Sequence, residues 1–423
     1  MTKRLQEEAP SGDDGRSNAE GESLLNRRSL LAGTVGLAGA MLMGSVTPSA
    51  EAATEKLPDD PTRVPGAAPT AYGQRSTFEK AVRIPGSSSS LTPLQDSHGI
   101  LTPSALHFER HHNGVPTIHP THHRLLIHGM VDQAWTFMLD DLKRFPAVSR
   151  LAFIECSGNS ASEWRGPTGQ TAQETHGLTS TSEWTGVALK TVLQEVGVHP
   201  DASWMLAEGS DAAAMTRSLP LASIQEEAIL CYAQNGEPLR PEQGYPLRLL
   251  NPGWEGNTCI KWLRRLKLGR APFMTREETS HYTDLMPDGT ARQFTMVMEA
   301  KSVITSPSGG QRIQPGFLDI RGLAWSGRGR IALVEVSMNG GRTWQQAALQ
   351  EPILPKCHTR FQFPWRWNGE DVMLQSRCLD DTGYRQPDRA TLVAARGENS
   401  VYHYNAIQSW HIAADGQVSN VHT

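Results

Sequence analysis

The chain has 423 residues, with 40 basic and 44 acidic side chains for a formal net charge of −4. That balance excludes the basic footprint of a nucleic-acid or anionic-membrane binder, and the length suits about two domains with substantial cores. Five cysteines (Cys156, Cys231, Cys259, Cys357 and Cys378) are too sparse for a disulfide scaffold. No Cys-x-x-Cys pair supports a zinc knuckle, a dithiol redox centre, an iron–sulfur set or a c-type haem.

Residues 1–52 read as a twin-arginine export signal. Asn26-Arg27-Arg28-Ser29-Leu30-Leu31 leads into an uncharged, Gly- and Ala-rich run over 30–46, followed by the small-residue site Ala50-Glu51-Ala52. The alternative is a membrane anchor, but the run is at the short end of the ~17–25 residues a span needs, and its glycines weaken it. Signals of this kind resemble those that export proteins already folded, often around a cofactor, which implies a periplasmic location. Residues 53–100 are rich in Pro, Ser and Gly, with Gly86-Ser87-Ser88-Ser89-Ser90 as a flexible joint, and predict an extended arm outside any core.

From 101 to 290 short strands and helices mix. Residues 124–129 and 248–250 predict strands. Residues 185–197 predict an amphipathic helix closed by Gly197, with apolar side chains at 188, 189, 192, 193 and 196. Seven histidines (His107, His111, His112, His119, His122, His123 and His128) crowd one segment. That density can serve zinc or copper, although Pro116 and Pro120 interrupt any helical i, i+4 pair. An apolar run at 151–154 delivers Cys156, and Gly158 and Asn159 then turn the backbone. The setting suits a thiolate offered to something large; the alternative is a cysteine that only packs.

After about residue 291 the texture changes to short strands at regular spacing, which suggests an immunoglobulin-like sandwich. Residues 330–338 run into the turn Asn339-Gly340-Gly341, with 342–345 returning as a hairpin arm. Residues 372–379 make another strand, stopped by Asp380-Asp381-Thr382-Gly383. Trp344, Trp365, Trp367 and Trp410 serve either a subunit contact or the sandwich core.

Three segments together resemble the signature set of the sulfite oxidase family of molybdenum enzymes. They are His107-Phe108-Glu109-Arg110-His111-His112-Asn113-Gly114-Val115-Pro116, Phe153-Ile154-Glu155-Cys156-Ser157-Gly158-Asn159, and Gly244-Tyr245-Pro246-Leu247-Arg248 through Pro252-Gly253-Trp254-Glu255-Gly256 to Lys261-Trp262-Leu263. The resemblance runs from about residue 100 to the C-terminus. It implies an α+β fold, with a molybdopterin-binding catalytic domain over 101–290 and an immunoglobulin-like dimerisation domain over 291–423. It also implies one molybdenum–molybdopterin per chain, no haem in this chain, and Cys156 as the protein's ligand to the metal, in keeping with molybdenum's need for a soft donor. Residue by residue it places Arg110, His112, Asp211, Arg248, Cys259, Ile260 and Lys261 at cofactor-contacting positions, where cations suit the pterin phosphate. Arg110 also resembles the arginine that faces substrate. Tyr282 and Arg396 fall near family active-site positions; the alternatives are a loop tyrosine and a surface arginine.

One departure bears on substrate. Sulfite oxidases resembling this chain commonly carry an arginine shortly after Cys-x-Gly-Asn, whereas here Ser160-Ala161-Ser162-Glu163-Trp164 follows. Gln243 and Thr258 likewise stand where other members have a basic residue, which implies a less positive pocket. Within the family, 107–116 and 175–184 are most similar to the molybdenum subunits of sulfane dehydrogenases from periplasmic thiosulfate-oxidising systems. That resemblance implies oxidation of sulfane sulfur on the cysteine of a sulfur-carrier protein. Electrons would pass to a c-type cytochrome subunit, and the C-terminal domain would hold a homodimer within a larger assembly. The alternatives are a sulfite dehydrogenase acting on free sulfite and a cofactor-free exported scaffold built on the sandwich.

Overall fold

The structure is a computed structural model that describes residues 60–422. The export signal over 1–52 lies outside the described residues. The chain divides into a unit ending at Gln74 and a unit over Arg75–Thr423. In the first, a 3-10 turn at Pro61–Arg63 is capped by Asp60, whose carboxylate accepts the Thr62 N–H at 3.1 Å.

Two five-stranded sheets make the N-terminal half of the second unit. One runs in the order Glu237–Pro238, Ile229–Gln234, Thr179–Ala188, Ala147–Glu155, with Arg248–Leu250 also paired to Ile229–Gln234. The other runs Trp135–Phe137, Leu125–Gly129, Leu263–Gly269, Trp204–Gly209, Thr216–Pro220, and its pairing of Leu125–Gly129 with Leu263–Gly269 is parallel. The strand Ala147–Glu155 decides where the site lies. Its first residues are largely exposed, but Ala152, Phe153, Ile154 and Glu155 are buried, so the chain enters the interior just before Cys156. Antiparallel pairing with Thr179–Ala188 along the whole length fixes that register.

The helix expected over 185–197 begins only at Leu189 and ends at Val196; residues 185–188 complete a strand instead. Close approach is the reason. A Cβ at Gly186 would lie 2.0 Å from Leu230 O, so the glycine lets two strands meet where a helix would leave both unpaired. The remaining apolar positions behave as the helical period requires: Leu189, Val192, Leu193 and Val196 are buried, and Gly197 closes the helix at φ +66.

The arm also differs from expectation. Ile84–Pro85, Ser89–Leu91 and Glu109–Arg110 form a three-stranded sheet. The serine-rich stretch is a tight turn rather than a joint, since the Gly86 N–H donates to Ser89 O at 2.7 Å. Leu94 is buried in the core of the sandwich. Composition alone missed this because the residues that hold the segment, Thr92 to Gly177 O and to Ser180 Oγ, are polar ones meeting polar partners.

The C-terminal half is a two-sheet sandwich. Lys301–Ser306, Gly316–Trp325, Thr359–Trp367 and Ala348–Gln350 form one sheet; Gln345–Gln346, Ile331–Ser337, Val372–Asp380, Ser409–Ile412 and Val418–Val421 form the other. The expected hairpin is present, with Val336 opposite Gln345 and positive φ at Gly340 and Gly341. Trp367 and Trp410 are fully buried in the core, Trp365 packs against it partly exposed, and Trp344 stacks under the Arg377 guanidinium. Among the described residues no helix is long and apolar enough to cross a membrane.

Candidate active site

A cleft of about 680 Å³, open at its mouth, lies where the Cys156 turn meets the segments around Arg110 and Lys261. Its walls bring together Arg110, His112, Cys156, Asp211, Arg248, Cys259, Ile260, Lys261 and Tyr282, which are separated by up to 172 positions in sequence. Arg396 stands apart from it. That side chain is buried against Asp284 Oδ2 at 3.4 Å and Glu299 Oε2 at 3.5 Å.

Cys156 is presented by a stapled turn. Its N–H donates to Leu178 O at 3.0 Å, and its carbonyl accepts the Asn159 N–H at 2.9 Å. The Asn159 side chain closes the loop, donating to Glu155 Oε1 at 2.9 Å and accepting the Leu178 N–H at 3.0 Å. Gly158 borders the sulfur: a Cβ there would lie 3.8 Å from Cys156 Sγ, at van der Waals contact. Burial pushes the thiol up, while the Gly158 N–H and the Arg110 charge pull it back. A bound metal would override that balance by taking the thiolate outright.

The other wall is cationic. Lys261 Nζ donates to Arg110 O at 3.0 Å, Glu242 O at 3.1 Å and His111 Nδ1 at 2.7 Å. Burial, then Arg248, holds Lys261 well below the ordinary lysine range. His111, pushed down to about 4 chiefly by burial and Lys261, stays neutral: its Nδ1 accepts from Lys261 and its single N–H, at Nε2, donates to Glu109 at 2.8 Å. Arg248 donates to Gln243 O at 3.0 Å and Cys259 O at 3.2 Å beneath the Trp184 ring, and its Nε has no partner. His107 Nε2 is likewise buried without a partner. Three crowded cations and two orphaned buried nitrogens fit a polyanionic, hydrogen-bonding group, and a soft thiolate faces them across the cleft. These residues fit a molybdenum–pyranopterin. Cys156 would hold the metal, and Arg248, Lys261, His112 and the backbone at Cys259 and Ile260 would hold the organic part.

Tyr282 joins the site through its hydroxyl, 3.2 Å from His112 Nε2. Burial, reinforced by Cys156, keeps the phenol well above its usual range, so it remains a protonated hydroxyl; burial also lowers His112 toward the neutral imidazole. Arg217 lies 4.8 Å from the Tyr282 ring centroid, and the Tyr402 ring lies 5.2 Å away, tilted by 39°. Ala161 lies on the open part of the cleft together with Arg110, Cys156, Tyr282 and Tyr402. Gln243, at another position where a basic residue was noted as missing, lines the cleft and donates to Phe108 O at 2.9 Å. Thr258 is turned inward onto Glu255 O at 2.7 Å.

Sequence reasoning missed the layer behind the site. Glu255 carries Arg217 at 3.2 Å, Asn257 at 3.1 Å and the His403 ring. Tyr402 and His403 arrive from the sandwich, roughly 250 residues from Cys156, and nothing local in the sequence marks them. A buried acid inside Pro252-Gly253-Trp254-Glu255-Gly256 was the signal for Glu255. Of the clustered histidines, His107, His111 and His112 line the cleft, His123 bonds Leu263 O at 2.8 Å, and His119 and His122 are exposed. Among the described residues no three His, Cys, Asp or Glu side chains gather as a separate metal site. All five cysteines are free thiols.

Comparison with known proteins gives the same picture. The family model described as "Oxidoreductase molybdopterin binding domain" matches residues 112–277, and "Mo-co oxidoreductase dimerisation domain" matches 292–410. The solved sulfane dehydrogenase SoxCD from Paracoccus pantotrophus matches with a TM-score of 0.84 and 44% identity, over 90% of this chain and 100% of that one. The chain belongs to the sulfite oxidase family. Mitochondrial sulfite oxidase from Rattus norvegicus is 31% identical over 321 residues, 68% of this chain and 57% of that protein. The NADH nitrate reductase of Ulva prolifera is 31% identical over 350 residues, 72% of this chain and 40% of that protein. The chain thus spans under two thirds of the length of these curated family members.

The His403–Glu255 contact makes a pH-dependent contribution to stability. Burial lowers the imidazole, but Glu255 outweighs it and raises His403 above its ordinary 6.5. A raised folded-state value gives stabilisation that is complete below about pH 6.5 and drains as pH climbs through the raised value. In denaturant unfolding at a series of pH values, His403→Gln is therefore expected to lose more stability relative to wild type at pH 6 than at pH 9. An equal loss at both would contradict the charged pair.

Proposed function

We propose that this chain is the molybdenum-bearing dehydrogenase of a periplasmic sulfur-oxidising system. Its substrate is sulfane sulfur carried on the cysteine of a carrier protein, and its electrons leave to a separate c-type cytochrome. When bound, the cofactor supplies two-electron redox chemistry. The chain's own residues do the rest. Cys156 supplies the thiolate, and Arg110 places a guanidinium beside it for an anionic sulfur group. Tyr282 holds a protonated hydroxyl within reach of a neutral imidazole, a pair able to pass a proton. Homodimerisation through the C-terminal domain is supported by the matched dimerisation domain, and partnership with a cytochrome belongs to the same reading, supported by the likeness to sulfane dehydrogenase SoxCD.

The observation that carries the substrate reading is Ala161. It occupies the open wall of the cleft beside Arg110 and Cys156, where an arginine side chain would otherwise reach the substrate space. Sulfite is largely a dianion near neutral pH and gains from each guanidinium. A charge-assisted hydrogen bond contributes on the order of 1.5–3 kcal/mol, roughly tenfold to a hundredfold in affinity. A persulfide on a carrier has less charge and is held also by the protein around it. Steady-state rates with a c-type cytochrome acceptor should favour persulfidated carrier over free sulfite. Ala161→Arg should raise kcat/KM on sulfite about tenfold and lower it on the carrier. Equal efficiency of the wild type on both substrates would instead make the protein a sulfite dehydrogenase.

Export is proposed to follow the twin-arginine route. Replacing Arg27 and Arg28 together by lysine keeps the charge but removes the guanidinium pair. Unprocessed precursor should then accumulate in the cytoplasm, and normal periplasmic appearance would argue for another route.

A further inference from the structure

The peptide that carries Cys156 is gripped from behind by the sandwich. Glu155, immediately before the cysteine, has a fully enclosed side chain, as has Lys301 on the first strand of the sandwich. Lys301 Nζ donates to Glu155 Oε1 at 3.1 Å and to the carbonyl of Asn159 at 3.3 Å. Trp325 Nε1 donates to the other carboxylate oxygen at 2.7 Å. One ammonium therefore holds both ends of the Cys156 turn, residue 155 through its side chain and residue 159 through its backbone.

We propose that Lys301 is the positioning residue through which the sandwich fixes Cys156 toward the metal, with Trp325 completing the grip on Glu155. The geometry gives two reasons. The turn 156–159 is tied to Leu178 and, through the Ser157 carbonyl, to the His403 N–H, but the buried charged grip on its two ends, at Glu155 and Asn159, comes from Lys301. In addition, a buried carboxylate one residue from a thiolate places two negative charges together unless a cation lies beside them, and Lys301 is that cation. Groups that orient a metal ligand typically alter activity or metal affinity by about 10–100-fold when removed, which is the range expected here. The inference rests on Cys156 as the metal ligand.

The test compares wild-type holoenzyme with Lys301→Met, Lys301→Arg and Trp325→Phe. It follows the sulfur-to-metal absorption band of the oxidised protein, kcat and KM separately, and the thermal midpoint. Lys301→Met should move the band and lower kcat about tenfold or more while KM changes less. Lys301→Arg should restore the band position and most of kcat, and Trp325→Phe should shift the band in the same direction by a smaller amount. A less stable Lys301→Met with wild-type band and kcat would reduce the lysine to a fold-holding role and overturn the proposal. Should Lys301→Met fail to accumulate, Trp325→Phe decides: a wild-type band and kcat there overturn it too. Absence of any such band in the wild type would instead strike the ligand assignment of Cys156, a distinguishable result.

Discussion

A carboxylate sealed from water must be matched by donors, and in this protein that constraint organises everything around Cys156. Glu155 is enclosed at the end of a strand, and its carboxylate accepts three side-chain donors, Asn159 on one side and Lys301 and Trp325 of the sandwich on the other. Removing one partner of a buried ion pair typically costs about 3–5 kcal/mol, a large share of a domain's stability. The sandwich is therefore part of the site's construction as well as the element matched by the dimerisation model. Glu255, which neighbours Glu155 through a parallel bridge, repeats the arrangement with Arg217 from the first half and His403 from the second.

The cleft divides its labour by charge. One wall is a half-buried sulfur beside a glycine; the other is a crowd of cations, where two buried nitrogens, Arg248 Nε and His107 Nε2, have no hydrogen-bond partner. The soft sulfur suits a metal, and the hydrogen-bonding cations opposite suit a phosphate. Of Arg110, Arg248 and Lys261, which line the enclosed part of the cleft, Arg110 also lines its open mouth, alongside His112, Cys156 and Tyr282. At that mouth Arg110 stands beside imidazoles, phenols and Ala161, and the second guanidinium, Arg276, is paired with Glu277, which weakens the pull on a small dianion.

Much of this was legible in the residues. Cys156, Arg248 and Lys261 sit in motifs whose local pattern of strand, turn and glycine already positions a side chain. The sandwich announced itself through its hairpin glycines and alternating strands. What was hidden was hidden for physical reasons. The end of the strand Thr179–Ala188 reads as helical because Ala188 continues the apolar spacing of Leu189–Val196, and Gly186 shows its purpose only beside Leu230. Residues 53–100 read as an extended arm outside any core because the serines and threonines that hold its later part do so by bonding to a neighbouring segment. Lys301, Tyr402 and His403 are ordinary in sequence and matter only because folding brings a second domain against the first. Arg396, chosen by its place in the chain, is held instead by Asp284 and Glu299.

The central claim is that Cys156 is the protein's bond to molybdenum. Its most direct measurement is the metal content and sulfur-to-metal absorption of purified Cys156→Ser beside the wild type, read together with turnover. Serine preserves size and offers a harder, poorer donor, so the account predicts a folded protein with the absorption band gone and most activity lost. Full molybdenum loading with near-normal turnover in that variant would contradict it.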